Sequence, residues 1–210
     1  METDNISISE LTSDSHNKRM FTVDFFGKDC TVTVTSTPSV VRKWIRLTWY
    51  IHRYLRYKLV VGLGVQWNPS SNEPASTLQL CVGHRCLIFQ LTYSDSVPKL
   101  LRRFLDDPNN TFVGIWNHSD KRRLLDSDHE LTLSSTPKDL RYFVADRFNE
   151  PDLRGASMET LVSRFFGYNG VKKDLAIATS NWNAYWLTDE QVLYAGVDAF
   201  VSFQMGKVMF

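Results

Sequence analysis

Two side chains near the end of the chain have types and spacing suited to metal-dependent hydrolysis. Tyr194 and Asp198 follow the stretch Thr188-Asp-Glu-Gln191, a capping-box pattern that predicts a helix start. Their spacing of four residues places both side chains on one face of that helix. A carboxylate there can ligate a divalent cation, and the phenol can orient an attacking water. Taken alone, the spacing fits a hydrogen-bonded Tyr–Asp pair better than a hydrolytic site.

Three stretches of the chain place these residues in a wider pattern. The first is Val60-Val-Gly-Leu-Gly-Val-Gln-Trp-Asn-Pro69, and the second is Phe112-Val-Gly-Ile-Trp-Asn-His-Ser-Asp120. The third opens with Ser180-Asn-Trp182 and continues through Leu-Tyr-Ala to Asp198-Ala. They resemble the motifs of the DEDDy-type 3′→5′ exonucleases, the Werner-syndrome-type and RNase D-like group, including its plant members. The resemblance covers most of the chain from about residue 21 onward.

The resemblance implies a fold, a chemistry and a partner. The fold is α/β, the ribonuclease H-like mixed sheet flanked by helices. The chemistry is phosphodiester hydrolysis from the 3′ end of DNA or RNA, with two divalent cations, Mg²⁺ or Mn²⁺, held by four carboxylates. Carried onto this sequence, Asp120 and Asp198 are the second-motif and third-motif carboxylates, and Tyr194 orients the water.

The first stretch departs from that family at its two acidic positions. The family has Asp-x-Glu where this chain has Gly64-Val-Gln66. Strand alternation puts Gly64 and Gln66 on one face, so the two positions for ligands remain while the carboxylates do not. Magnesium favours charged oxygen ligands, and neither a glycine nor an amide supplies one. The sequence therefore predicts weak or absent two-metal hydrolysis.

The elements that must position these residues follow from hydrophobic periodicity and turn signals. A hairpin is predicted over 21–26 and 30–35, and strands over 59–67, 75–82, 86–90 and 111–115. Helices are predicted over 38–57, 98–106, 120–125, 138–148 and 157–166, and from 188 almost to the end. Residues 1–18 are polar and predict a mobile N-terminal arm, which leaves 19–210 as the exonuclease-like domain.

The predicted helix 38–57 carries more apolar surface than one core contact requires. Val41, Trp44, Ile45, Thr48, Ile51 and Leu55 share one face, and a second stripe holds Leu47, Tyr50, Tyr54 and Tyr57. The second stripe has two interpretations of equal weight. It either binds another copy of the chain, giving a homo-oligomer, or packs beneath the N-terminal hairpin.

Composition restricts the remaining possibilities for partners, cysteine chemistry and cellular location. A net charge of +1 means that any surface for nucleic acid must be local. Cys30, Cys81 and Cys86 lack the spacing of a zinc knuckle or a disulfide framework, which favours buried free thiols in a reducing compartment. The chain has no apolar run long enough for a membrane span and no secretory signal, so we expect an intracellular protein of the nucleus or cytoplasm without membrane contact.

Several residues are candidates for contacts with nucleic acid. Lys121 and Arg122 follow Asp120, and Lys172 and Lys173 precede the third stretch. For each pair a solvated surface explains the charges more simply than phosphate binding. Trp186 is a candidate for stacking on a base.

The sequence thus predicts an exonuclease-family domain that binds nucleic acid with little or no hydrolysis. One alternative is an active metal-dependent 3′→5′ exonuclease that works with one metal or a substitute ligand. The other is an oligomeric scaffold built on helix 38–57.

Overall fold

A single mixed sheet of eight strands forms the centre of the protein. The computed structural model describes residues 5–12, 16–55, 58–69, 73–171 and 173–210. The strands are β1 (Ile6–Leu11), β2 (Arg19–Phe25), β3 (Lys28–Thr35), β4 (Val60–Gln66), β5 (Thr77–Val82), β6 (Arg85–Gln90), β7 (Thr111–Gly114) and β8 (Lys138–Asp139). The helices are α1 (Pro38–Ile51), α2 (Lys99–Leu105), α3 (Asp120–Leu125), α4 (Leu140–Phe148), α5 (Met158–Phe166), α6 (Leu175–Ala178) and α7 (Asp189–Met209).

The strand order confirms the predicted α/β class with a mixed sheet flanked by helices. The order across the sheet is β1-β2-β3-β6-β5-β4-β7-β8. The β3–β6, β4–β7 and β7–β8 pairs are parallel, and the remaining neighbours are antiparallel. Among the residues that the structure describes, no helix combines the length and the apolarity that crossing a bilayer requires.

The N-terminal segment differs from the mobile arm predicted over 1–18. Residues Ile6–Leu11 form β1, which pairs antiparallel with β2 over its whole length. The hairpin of β2 and β3 is confirmed, with Phe26 and Gly27 at positive φ in its turn. Ile6 and Ile8 alternate with Ser7 and Ser9 and are half-buried against the core, so the alternation of a strand is present although the surrounding sequence is polar.

Helix α1 is shorter than predicted and leaves its second stripe open. It ends at Ile51 rather than near 57, and residues 56–57 lie outside the described part of the chain. Its buried residues end at Thr48, so the following turn has no core to pack against. Ile51 and Leu55, predicted to face inward, are exposed, and so are Leu47, Tyr50 and Tyr54. The described members of the second stripe, Leu47, Tyr50 and Tyr54, therefore do not pack beneath the hairpin.

Helices α1 and α7 cover opposite faces of the sheet. On β6, Arg85 reaches toward Thr48 of α1, and the adjacent Cys86 lies against the Gly196 carbonyl of α7. Neighbouring residues of a strand point to opposite faces, so these two contacts define the two layers. Helix α7 comes so close to β4 that a Cβ on Gly62 would lie 2.0 Å from the Ala199 carbonyl oxygen. This close approach fixes the residues of α7 above the middle of the sheet.

The three cysteines meet in the core on the α7 side. Cys30, Cys81 and Cys86 are all buried, and their Sγ atoms lie within 4.8 Å of one another. The Cys30 and Cys86 sulfurs are 3.3 Å apart. Hydrogen bonds from Cys81 and Cys86 lower the pKa of the Cys30 thiol to about 5, and burial raises the pKa values of its two neighbours. The linear spacing of the cysteines did not predict this meeting, because it depends on three strands lying side by side.

Candidate functional site

A cleft of about 420 Å³ lies between β4 and α7 and collects the residues of all three sequence stretches. Its lining includes Gly64 and Gln66 from β4, Asp120 from α3, and Tyr194 and Asp198 from α7. The structure therefore brings together the five positions to which the family resemblance assigns catalytic roles.

The α7 side of the cleft is built by helix capping and close packing. Thr188 accepts a hydrogen bond from the Gln191 backbone, and the Gln191 side chain accepts one from the Thr188 backbone, which confirms the predicted capping box. One helical turn further on, Tyr194 and Asp198 lie on the face that lines the cleft. Burial, followed by the negative charge of Asp198, raises the pKa of the Tyr194 phenol. The phenol therefore stays protonated at neutral pH.

Lys173 binds the Asp198 carboxylate directly. Its Nζ donates to both carboxylate oxygens, with a distance of 2.5 Å to Oδ2, and lies 4.1 Å from the centroid of the Tyr194 ring. Burial opposes the lysine charge, but Asp198 and Tyr194 outweigh it, so the pKa of Lys173 lies above its ordinary value. Burial raises the pKa of Asp198, and Lys173 partly offsets that rise. An internal ammonium group thus neutralises the third-motif carboxylate.

Asp120 is the first residue of α3 and lies at the bottom of the cleft. Its side chain is almost wholly buried, at 5% exposure. Burial, then the charges of Asp198 and Asp139, raise its pKa to about 8. The charges of Arg123 and Lys173 lower the pKa of Asp120, but together they do not offset this rise. At neutral pH Asp120 is therefore mostly protonated and carries little of the charge that a metal ligand needs.

The β4 side of the cleft offers no carboxylate, and a residue of the neighbouring strand fills the space beside it. Gly64 pairs with Gln79 of β5, and a Cβ on Gly64 would lie 3.0 Å from Gln79 Oε1. Gln79 is fully buried and donates through Nε2 to Thr77 at 2.5 Å. Its Oε1 has no hydrogen-bond partner within the described residues. An amide oxygen without a hydrogen-bond partner among the described residues therefore lies next to the position that a side chain at residue 64 would occupy.

These donors do not fit a two-metal centre. Divalent cations of this chemistry need several charged oxygen ligands in octahedral geometry. Here Asp198 is bound by Lys173, Asp120 is raised toward neutrality, and Gln66 supplies only an amide. Within the described ranges, the residues that could jointly hold one ion are the three core cysteines, away from the cleft.

Of the remaining sequence candidates that the structure describes, only Lys173 lines the cleft. Lys121 and Arg122 continue α3 away from the lining, and Arg122 pairs with Asp126 at 3.3 Å. Trp186 lines a separate surface cavity, with the Arg19 guanidinium 5.6 Å from its ring. Lys172 lies outside the residues that the structure describes.

Two residues of the site, Trp116 in the cleft lining and the buried Gln79 beside Gly64, were not found by reasoning from the sequence. Gln79 reaches the site through the register between β4 and β5, which no local pattern reveals. Trp116 lies within the second stretch and lines the cleft, although its motif was read only for Asp120. A bulky aromatic beside a predicted strand end and an acidic motif position was the available signal for Trp116.

Comparisons with known proteins identify the family. A family model described as 3′-5′ exonuclease matches residues 66–209. The chain is 30% identical over 149 residues to the bifunctional 3′-5′ exonuclease/ATP-dependent helicase WRN of Mus musculus, covering 67% of this chain and 10% of the mouse protein. It is 28% identical over 157 residues to a 3′-5′ exonuclease of Arabidopsis thaliana, covering 71% of this chain and 52% of that protein.

A solved structure supports the fold. The crystal structure of Escherichia coli RNase D, an exoribonuclease involved in structured RNA processing, superposes with a TM-score of 0.66 at 16% identity. The match covers 84% of this chain and 43% of RNase D. The chain thus spans between about a tenth and half of the length of these relatives.

Proposed function

Because this chain belongs to the 3′-5′ exonuclease domain family, we propose that its cleft binds the 3′ end of DNA or RNA with weak or no hydrolysis. The family match supplies the class of ligand. The absence of first-motif carboxylates at Gly64 and Gln66 is the reason to expect weak or no hydrolysis. Binding of the strand does not require the charges that two-metal hydrolysis requires.

The observation that carries this proposal is the Lys173–Asp198 ion pair beside an uncharged β4. In a two-metal site, cations neutralise the carboxylates and contact the phosphate. Here the ammonium group of Lys173 neutralises Asp198, so the cleft does not repel a phosphate as an uncompensated carboxylate would. A lysine binds phosphate as a point charge but does not activate a water as a bound metal ion does.

The direct test combines a binding measurement with a cleavage measurement. Fluorescence anisotropy in EDTA should detect binding of single-stranded DNA or RNA. Incubation of 3′-recessed DNA or RNA in Mg²⁺ and in Mn²⁺ should leave the strands intact. Laddered 3′ shortening that EDTA stops and Asp198→Ala abolishes would overturn the lack of hydrolysis.

An active exonuclease that uses Mg²⁺ or Mn²⁺ is the alternative, and Gln79 favours it. Its buried, unpaired Oε1 beneath Gly64 is an oxygen that one cation could recruit. Cleavage that depends on this oxygen should fall in Gln79→Leu, which keeps the approximate volume of the side chain. A Gln79→Glu substitution should instead increase such cleavage.

A second candidate is an oligomeric scaffold built on α1. Leu47, Tyr50, Ile51, Tyr54 and Leu55 form an exposed apolar surface, and Tyr54 is 87% exposed. Light scattering tests self-association through this surface. A mass above that of one chain, which Tyr50→Ser with Tyr54→Ser reduces, would support it, and a monomeric mass would exclude it.

A further inference from the structure

We propose that Trp116 is a stacking platform for the terminal nucleobase of a 3′ end bound in the cleft. This inference rests on the proposed function and adds to it the residue that receives the base. It also specifies an unpaired end as the ligand, because a base within a duplex already stacks on its neighbours.

Trp116 has the exposure and the position that such a platform needs. Its side chain is 50% exposed, although most tryptophans of a folded domain are largely buried. It lines the same cleft as Lys173 and Asp198. An aromatic surface and a cationic group in one cleft match the two parts of a nucleotide, the base and the phosphate.

The ring is held in place before any ligand arrives. Trp116 Nε1 donates to the Ala156 carbonyl at 3.0 Å. The Arg141 guanidinium carbon lies 3.3 Å from the ring centroid, which covers one face and leaves the exposed area to the other. Arg141 is itself fixed by Asp139, with Nη2–Oδ2 at 2.6 Å. A ring that is already ordered loses little freedom when a base stacks on it.

The backbone at Trp116 is also unusual. Its φ is 57°, in the left-handed region that non-glycine residues rarely adopt and that suits an aromatic side chain poorly. Because half of the Trp116 side chain is exposed, its packing in the core does not offset the energetic cost of this conformation. The conformation does present the indole ring to the cleft, which is what a stacking role requires.

The test compares two oligonucleotides that differ only at the 3′ end, measured in EDTA. One carries 2-aminopurine as its terminal base, and the other carries an abasic terminal residue. The unsubstituted protein should quench the 2-aminopurine fluorescence and bind the abasic strand roughly 5- to 100-fold more weakly. Trp116→Ala should bind both strands equally and abolish the quenching. Trp116→Phe, which keeps an aromatic face, should retain most of the preference.

Tyr142→Ala is the matched control. Tyr142 is 49% exposed and lies near the same arginine, with 5.6 Å between the Arg141 guanidinium carbon and its ring centroid, but it does not line the cleft. Its loss should leave the preference unchanged. Circular dichroism of each variant shows whether the fold is kept.

The outcomes separate this inference from the proposed function. If Trp116→Ala keeps the preference for the terminal base, or if Trp116→Phe behaves like Trp116→Ala while folded, the stacking role is wrong although binding stands. If the unsubstituted protein binds neither strand, the proposed function itself fails, and the stacking role fails with it.

Discussion

The two sides of the cleft differ in whether they retain the site residues that are typical of the family. On the α7 side, Tyr194 and Asp198 occupy the positions expected of the family, on a helix with an intact capping box. On the β4 side, Gly64 and Gln66 replace both acids, yet the strand keeps its register with β5. Strand pairing depends on backbone hydrogen bonds, so side-chain ligands on a strand can be lost without moving the helix that faces them.

The largest expected effect comes from restoring charge to the β4 side. The variant Gly64→Asp, Gln66→Glu, Lys173→Ala should gain Mn²⁺-dependent 3′ shortening of about 100-fold or more over the unsubstituted protein, since a bound metal supplies several kcal/mol of transition-state stabilisation. A Cβ at position 64 would have Gln79 as its near neighbour, with Oε1 at 3.0 Å and the other atoms of that side chain at 3.7 Å or more. Denaturing gels with a labelled strand measure this gain.

The same variant with Asp198→Asn added is the control for that experiment. Loss of the gained activity would show that the α7 side completes the site. If calorimetry shows that the variant Gly64→Asp, Gln66→Glu, Lys173→Ala does not bind Mn²⁺, the β4 side of the cleft lacks more than the two carboxylates.

The next largest effect is on stability and comes from substituting two glycines of β4, Gly62 and Gly64. Gly62→Ala would place a Cβ 2.0 Å from the Ala199 carbonyl oxygen, so the helix or strand must shift, and we expect a loss of about 3 kcal/mol or more in the free energy of unfolding. Gly64→Ala faces only a movable amide and should change stability by less than about 1 kcal/mol. Urea denaturation measures both, and equal losses would contradict the idea that only Gly62 is required by packing.

A smaller effect is expected at the internal ion pair. Lys173→Met leaves the 13%-exposed Asp198 carboxylate without its cation. Because the pair is partly open to solvent, we expect a loss of about 1–2 kcal/mol, below that of a fully buried pair. Adding Asp198→Asn should recover most of it. Additive effects in this double-mutant cycle would show that the two groups do not interact in solution.

The last expected effect concerns pH. The pKa of Asp120 is raised from 3.8 to about 8 in the folded protein, so the folded state holds a proton that the unfolded state has released between those values. Stability therefore falls as pH rises from about 4 to about 8. Asp120→Asn should remove most of this dependence, so that the melting temperature changes less between pH 4 and pH 8 than it does in the unsubstituted protein. Melting curves against pH test this, and Asp126→Asn, which alters an exposed acid, should leave the slope unchanged.

Much of the fold could be predicted because its signals are local. The hairpin, the inner strands and the caps at Ser157 and Thr188 depend on alternation and on neighbouring residues. Strand β1 was missed because its short alternation, Ile6 and Ile8 against Ser7 and Ser9, lies within a stretch that is otherwise polar. The end of α1 was misplaced because the apolar stripe continues beyond the part that reaches the core.

The site was predictable only where a residue belongs to a motif. Asp120, Tyr194 and Asp198 were placed together from their stretches, and the structure gathers them in one cleft. Lys173 was considered for phosphate contact, and its bond to Asp198 depends on how the loop before α6 folds back. Gln79 enters the site through strand register, which leaves no local signal. Trp116 is a visible aromatic in the second stretch, but its exposure depends on a backbone conformation that the sequence does not reveal.

The three core cysteines offer a way to find ligands of this protein without an activity assay. A thiol reagent reaches Cys30, Cys81 and Cys86 only when the sheet separates from α7, so the rate of alkylation in native buffer reports how often that region opens. A molecule that binds the folded cleft lowers the open population in proportion to its occupancy. Slower labelling would therefore rank DNA, RNA and nucleotides by affinity, even if the protein cuts none of them.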